Sequence, residues 1–276
     1  MKVRTRCPSV LFRYTVLAIS TFHLIPVFVS GAPHSSHFRQ GSVVRPAFRA
    51  GICESAERPL TNRQRQALLE GLSRKTGLME MRFDEDGILR LGDRTQFSGG
   101  SQSARDLVFA AVDSRHSFRL ENHNNSPAVG FAEIESTLDY EDAAGIKHVV
   151  WDFRFDFRDF AELRGPAEAL VAFDPAIQLL HELGHSVLGL HDPIGKDDEL
   201  GDCERHINVI RRELGLPLRQ NYNAQCRMAV MPGNRVQSLQ GEVVFVRADS
   251  LTRIRTFTLA FNVESVFGEA IARMSR

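Results

Sequence analysis

The run His181-Glu182-Leu183-Gly184-His185 constrains this chain more than any other stretch. The two histidines are four residues apart, so on a helix they project from one face, about 40° apart. Two imidazoles so placed can hold one zinc ion. Glu182 falls on nearly the same side, within reach of a metal-activated water. That combination predicts metal-assisted hydrolysis with Glu182 as general base. As plain core residues, two histidines and a glutamate on one helix face would need three separate polar partners.

The flanking sequence predicts a helix of the right kind. Asp174 is a good N-cap, and Pro175 sits in the first turn, where its missing N–H costs nothing. Ile177, Leu180, Leu183 and Leu188 supply an apolar stripe. The helix therefore starts about two turns before His181, which places the histidines on a rigid support.

A catalytic zinc takes three protein ligands and keeps one position open. His181 and His185 are two of them, and the chain must bend back to supply the third. His191 lies about 240° around a continued helix, so it reaches the metal only if the helix ends after Val187 or Leu188. Gly189 offers such a break. Glu204 is the alternative third ligand, one turn into a second helix expected from about Asp198 to Leu214, with Gly215 as its stop. Asp192 is a further possibility.

These residues carry family resemblances. The string from His181 to Asp192 resembles the metzincin metallopeptidases, whose pattern is His-Glu-x-x-His-x-x-Gly-x-x-His. The glycine here stands at 189, where the pattern would place it at 188. Met228-Ala229-Val230-Met231-Pro232-Gly233 resembles the methionine-containing turn of that family, with Met231 as the methionine. A glutamate on the following helix, Glu204, resembles the gluzincin arrangement. The stretch from Asn208 through Arg211, Glu213, Leu214, Gly215, Leu216, Pro217 and Arg219 to Tyr222 resembles the bacterial effector zinc peptidases of the NleD type. That last likeness covers only about residues 174–222.

Together the resemblances imply an α+β, zincin-like fold: a small twisted mixed sheet packed on an active-site helix and a second helix, with a C-terminal hairpin. They imply a zinc-dependent endopeptidase acting on proteins or peptides. Tyr222 is a candidate donor to the oxyanion. The alternatives are a catalytically silent, zinc-stabilised binding protein, and a toxin or effector peptidase with one narrow host substrate.

The rest of the chain bounds this picture. Among 276 residues, 34 basic side chains balance 34 acidic ones, so nothing points to nucleic acid. Lys2, Arg4, Arg6 and Arg13 precede an apolar run from Tyr14 to Ser30 and small residues at Ser30, Gly31 and Ala32. This predicts a signal peptide over 1–31, or an N-terminal anchor, and a secreted or periplasmic protein with no stable membrane association once the signal is removed. Residues 32–60 read as a linker or short pro-segment, and 61–276 as the peptidase domain. Cys7 leaves with the signal, which makes Cys203–Cys226 the expected disulfide and Cys53 a spare thiol. Thr61 caps an expected helix to about Arg74, with Gly77 as its stop. Met79–Gly92 reads as a hairpin, Ser103–Val112 as a helix and Ser117–Leu120 as a strand. His148–Phe157 alternates aromatic and charged residues in a strict period of two and predicts a core strand, with peptide pairing at a sheet edge as the alternative. Gly241–Val263 predicts a second hairpin around Ala248-Asp249-Ser250.

Overall fold

The first element falls where a linker was expected. In the computed structural model, which describes residues 48–193, 199–230, 236–250 and 253–266, Gly51–Glu54 forms β1, with Ile52 and Cys53 buried. Four residues are too few to show a period, so only the sheet reveals this strand. The expected signal segment 1–31 and Met231 lie outside the described residues. Among the described residues, no helix is long and apolar enough to cross a membrane.

Helix α1 spans Asn62–Thr76. Its start is a capping box: Thr61 accepts from the Gln64 N–H, and the Gln64 side chain accepts from the Thr61 N–H. Strands β2 (Met81–Phe83) and β3 (Leu89–Leu91) form the expected hairpin. Helix α2 spans Gln102–Val112, capped by Ser101. Strands β4 (Ser117–Asn122), β5 (Ala132–Glu141) and β6 (Lys147–Phe155) follow. The main sheet runs β1-β4-β6-β5: β1, β4 and β6 are parallel, and β5 closes one edge antiparallel to β6. Strand β6 is therefore interior, and β5 is the edge.

The aromatic alternation was expected to carry β6 to Phe157. It stops at Phe155 because Asp156 caps α3 (Phe157–Glu162) by accepting from the Arg158 N–H. The charged face is not simply solvated either. Asp152 is buried and paired with Arg119 at 2.6 Å across to β4.

Helices α4 (Ala167–Ala172), α5 (Pro175–Leu188) and α6 (Gly201–Glu213) precede β7 (Leu218–Arg219), β8 (Gln225–Val230), β9 (Val236–Ser250) and β10 (Arg253–Asn262). Strands β9 and β10 make the expected C-terminal hairpin, but Ala248, Asp249 and Ser250, expected as its turn, belong to β9, where Ala248 and Ser250 pair with Ile254 and Arg253; β7 and β8 both pair with β9.

There are two hydrophobic cores, and α5 belongs to the first. One packs Leu68 and Leu72 of α1, Val108 of α2, and Phe118 and Phe153 of the main sheet beneath Ile177, Leu180 and Leu183. Each such side chain contributes about 1.5–3 kcal/mol on burial. The other core is aromatic, gathering Phe131, Phe173, Phe245 and Phe261. The result is a mixed α+β fold in which α5 is packed into the first core.

Candidate metal centre

Helix α5 is fixed at both ends. Asp174 accepts from the Ile177 N–H at 2.9 Å, and the buried Lys75 ammonium reaches the same carboxylate at 2.9 Å and the Val171 carbonyl at 2.8 Å. At the other end Gly189 takes the left-handed conformation, φ 65°, which a glycine adopts without the steric cost of a Cβ. The Leu190 N–H then donates back to Gly184, and the chain turns under the helix. A second glycine lets α6 approach this turn. A Cβ on Gly201, itself at φ 70°, would stand 2.6 Å from the Asp192 carbonyl carbon.

The turn brings three ligand atoms together. His181 Nε2 and His185 Nε2 are 3.1 Å apart. Asp192 Oδ1 lies 3.2 Å from the first and 3.4 Å from the second. A tetrahedral ion with bonds of about 2.0–2.1 Å has vertices about 3.3–3.4 Å apart, so the triangle fits a zinc-sized cation. The far ring nitrogens agree. His185 Nδ1 lies 2.7 Å from the Leu190 carbonyl, an acceptor, so it carries the proton and leaves Nε2 a lone pair. His181 Nδ1 lies 3.4 Å from Glu204 Oε2. The two Nε2 atoms and the Asp192 carboxylate oxygen thus lie against one another, an arrangement that suits a cation. The same pull shows in the acid–base balance. Against the cost of burial, Asp192 helps push His185 up to about 11, and the histidines hold Asp192 well below the usual carboxylate range.

A thiol completes the group. His181, His185 and Cys203 each offer a ligand atom within 4.8 Å of the others. Cys203 is a free cysteine, which corrects the expected pairing with Cys226. It sits on the buried face of α6, and its Sγ donates to the His181 carbonyl at 3.2 Å. Gly184 makes room for it: a Cβ there would stand 2.9 Å from the sulfur.

Glu204 is on the Nδ1 side of His181, away from the triangle, and is fully buried. It is held by ion pairs to Arg211 and to Arg219, the latter at 3.0 Å. Those two positive charges keep the Glu204 carboxyl far below its ordinary value despite burial. Asn208 ties the set to β7, accepting from the Arg219 N–H at 2.9 Å and donating to the Arg219 carbonyl at 2.9 Å. Tyr222 donates to Asp192 Oδ2 at 2.7 Å and stacks on His181 at 6.0 Å between ring centres. Asn208, Arg211, Arg219 and Tyr222 thus form one scaffold behind the histidines. The Tyr222 hydroxyl, considered as an oxyanion donor, is committed here to Asp192.

His191 is exposed and joins no ligand group among the described residues. Its carbonyl instead accepts from the Cys203 N–H at 3.1 Å. The helix runs one residue further than the resemblance implies, to Leu188 with the left-handed glycine at 189, so the residue three past that glycine is Asp192, and its carboxylate is the group that meets the histidines. Cys203 was hidden from sequence reasoning by its assignment to a disulfide. Its place four residues before Ile207, on the apolar face of α6, was the available signal.

Glu182 is buried and lines a cleft of about 480 Å³, a volume that includes open solvent. Burial pushes its carboxyl above the usual value, against the two histidines. His181, Gln178 and Tyr222 share that lining with Phe131, Phe173 and Phe261.

Compared with models of protein families, with curated proteins and with solved structures, the chain gives no match.

Proposed function

We propose that this chain is a zinc-dependent peptidase of the zincin type, acting on proteins or peptides. The observation that carries the reading is the 3.1–3.4 Å triangle of His181, His185 and Asp192 beside the buried Glu182. These three residues would hold the metal, with Cys203 close enough to join them. When bound, zinc lowers the pKa of a water towards about 7 and polarises a carbonyl.

The chain's own residues supply the rest. Glu182 follows His181 directly, so it faces the same cleft. Its burial raises proton affinity, which suits a base that takes a proton from water and passes it to a leaving amine. Asp192 is held by Tyr222 and the His185 ring by the Leu190 carbonyl, while the Glu204 carboxylate faces His181 Nδ1 at 3.4 Å without a hydrogen bond, so most of the group is oriented before substrate arrives. The signal-like pattern over residues 1–31 supports export, and with it a secreted or periplasmic enzyme.

One observation favours a second reading. If Cys203 coordinates together with the triangle, four protein ligands close the site, as in structural zinc centres. The chain would then be a catalytically silent, zinc-stabilised binding protein. Cleavage of a denatured protein mixture separates the two. A peptidase cleaves it, loses activity to a chelator and regains it with zinc; a closed site binds zinc and cleaves nothing.

A further inference from the structure

Gln178 stands three and four residues before His181 and Glu182, so all three share one face of α5. Its side chain lines the same cleft and is only 7% exposed. Its Nε2 is buried with no hydrogen-bond partner among the described residues. A buried orphan donor in a folded protein calls for an explanation. Around it the cleft wall is apolar, built from Phe131, Phe173, Val243 and Phe261. Arg219 also reaches the lining, but its guanidinium is engaged by Glu204, the Asn221 carbonyl and the Tyr222 carbonyl. His181, Glu182 and Tyr222 are the other polar side chains of the lining, and apolar walls with a few placed polar groups are the usual form of a ligand pocket.

From this we infer that Gln178 selects the substrate side chain next to the reacting bond. The inference rests on the proposed function for the idea that this cleft receives substrate. The preferred side chain has an apolar stem, which packs on the phenylalanines, and ends in an acceptor oxygen, which receives the Gln178 N–H. Glutamine and glutamate have that chemistry. Leucine fills the walls but leaves the donor unpaired, a loss of roughly tenfold in affinity. Lysine brings a second donor to a donor.

The test uses the zinc-loaded full chain and four acetylated dipeptide hydroxamates that differ only in one side chain: glutamine, glutamate, leucine or lysine. The wild type is expected to bind the glutamine or glutamate compound about tenfold more tightly than the leucine compound, and the Gln178→Leu variant to reverse that order. Equal binding of the glutamine and leucine compounds, best binding of the lysine compound, an unchanged order in the variant, or no binding of any compound overturns the proposal. A second measurement needs neither zinc nor catalysis. In the metal-free chain, Gln178→Leu raises the Tm, because it removes an unpaired buried donor. A fall in Tm would mean that Gln178 is already satisfied within the fold and would overturn it. Selective binding without any hydrolysis would defeat the peptidase reading and leave standing only the cleft's preference for an acceptor-ended side chain at Gln178.

Discussion

Glu204 Oε2 stands 3.4 Å from His181 Nδ1, behind the ring nitrogen that faces the cleft. This one distance separates a metal ligand from a residue that orients a ligand. It predicts two effects of changing Glu204. Glu204→Ala leaves two buried guanidinium groups without their shared carboxylate, at a cost of about 3–5 kcal/mol in urea unfolding. Glu204→Gln lowers zinc affinity about 10–100-fold in a competition titration, the range for a residue that supports a histidine ligand. Loss of all zinc binding in the folded Gln variant would make Glu204 a direct ligand instead.

The ligand set itself makes a contrasting prediction. Asp192→Asn reduces zinc affinity by more than the 10–100-fold expected at Glu204, because it removes a ligand charge. His191→Ala leaves affinity unchanged, since that side chain is exposed. The same titration reads both variants, and a larger loss at His191 than at Asp192 would reverse the assignment.

Gly184 and Cys203 are coupled through space. Gly184→Ala puts a methyl group against the Cys203 sulfur and costs about 1–3 kcal/mol. In a Cys203→Ala background the clash disappears, and the intrinsic preference of alanine for helix, up to about 1 kcal/mol, is recovered. A double-mutant cycle by chemical unfolding measures the coupling directly. Additive effects would mean that α5 and α6 are not in this close contact.

Stability has a pH dependence that does not involve the metal group's own side chains. Burial pushes the Asp159 carboxyl up to about 7, against the hydrogen bond it accepts from the Phe131 N–H at 3.0 Å. In the unfolded chain the same group titrates near about 4. Its folded value is the raised one, so its stabilising contribution is full below about pH 4 and is lost as pH rises through about 7. Asp159→Asn keeps an acceptor for the Phe131 N–H and removes the charge. The variant is expected to match the wild type near pH 4 and to exceed it by about 1–3 kcal/mol at pH 8. Equal pH profiles for the two proteins would show that Asp159 titrates normally.

Local signals with a physical cause were legible in the sequence. Thr61, Asp174 with Pro175, and Gly189 mark helix ends through groups that act within one turn, and the structure has caps at each of them. The face shared by His181, Glu182 and Gln178 follows from helix geometry alone. What depends on how distant segments meet was not legible. Strand β1 exists because β4 offers it a partner, and its four residues carry no period. Asp192 enters the metal group because the helix runs one residue longer than the family pattern before its glycine, which moves the ligand position from 191 to 192. Cys203 enters it because Gly184 lets α6 come close, a relation no spacing rule contains.

The central claim is that Glu182 works on a metal held by its helix neighbours, and one comparison tests it most directly. Wild type and Glu182→Gln are loaded with zinc, assayed for bound metal, and incubated with a denatured protein mixture with and without a chelator. The account predicts one zinc per chain in both proteins, chelator-sensitive cleavage by the wild type that added zinc restores, and a loss of about 10²-fold or more in the variant. Full activity in Glu182→Gln, or zinc-loaded wild type that cleaves nothing, would contradict it.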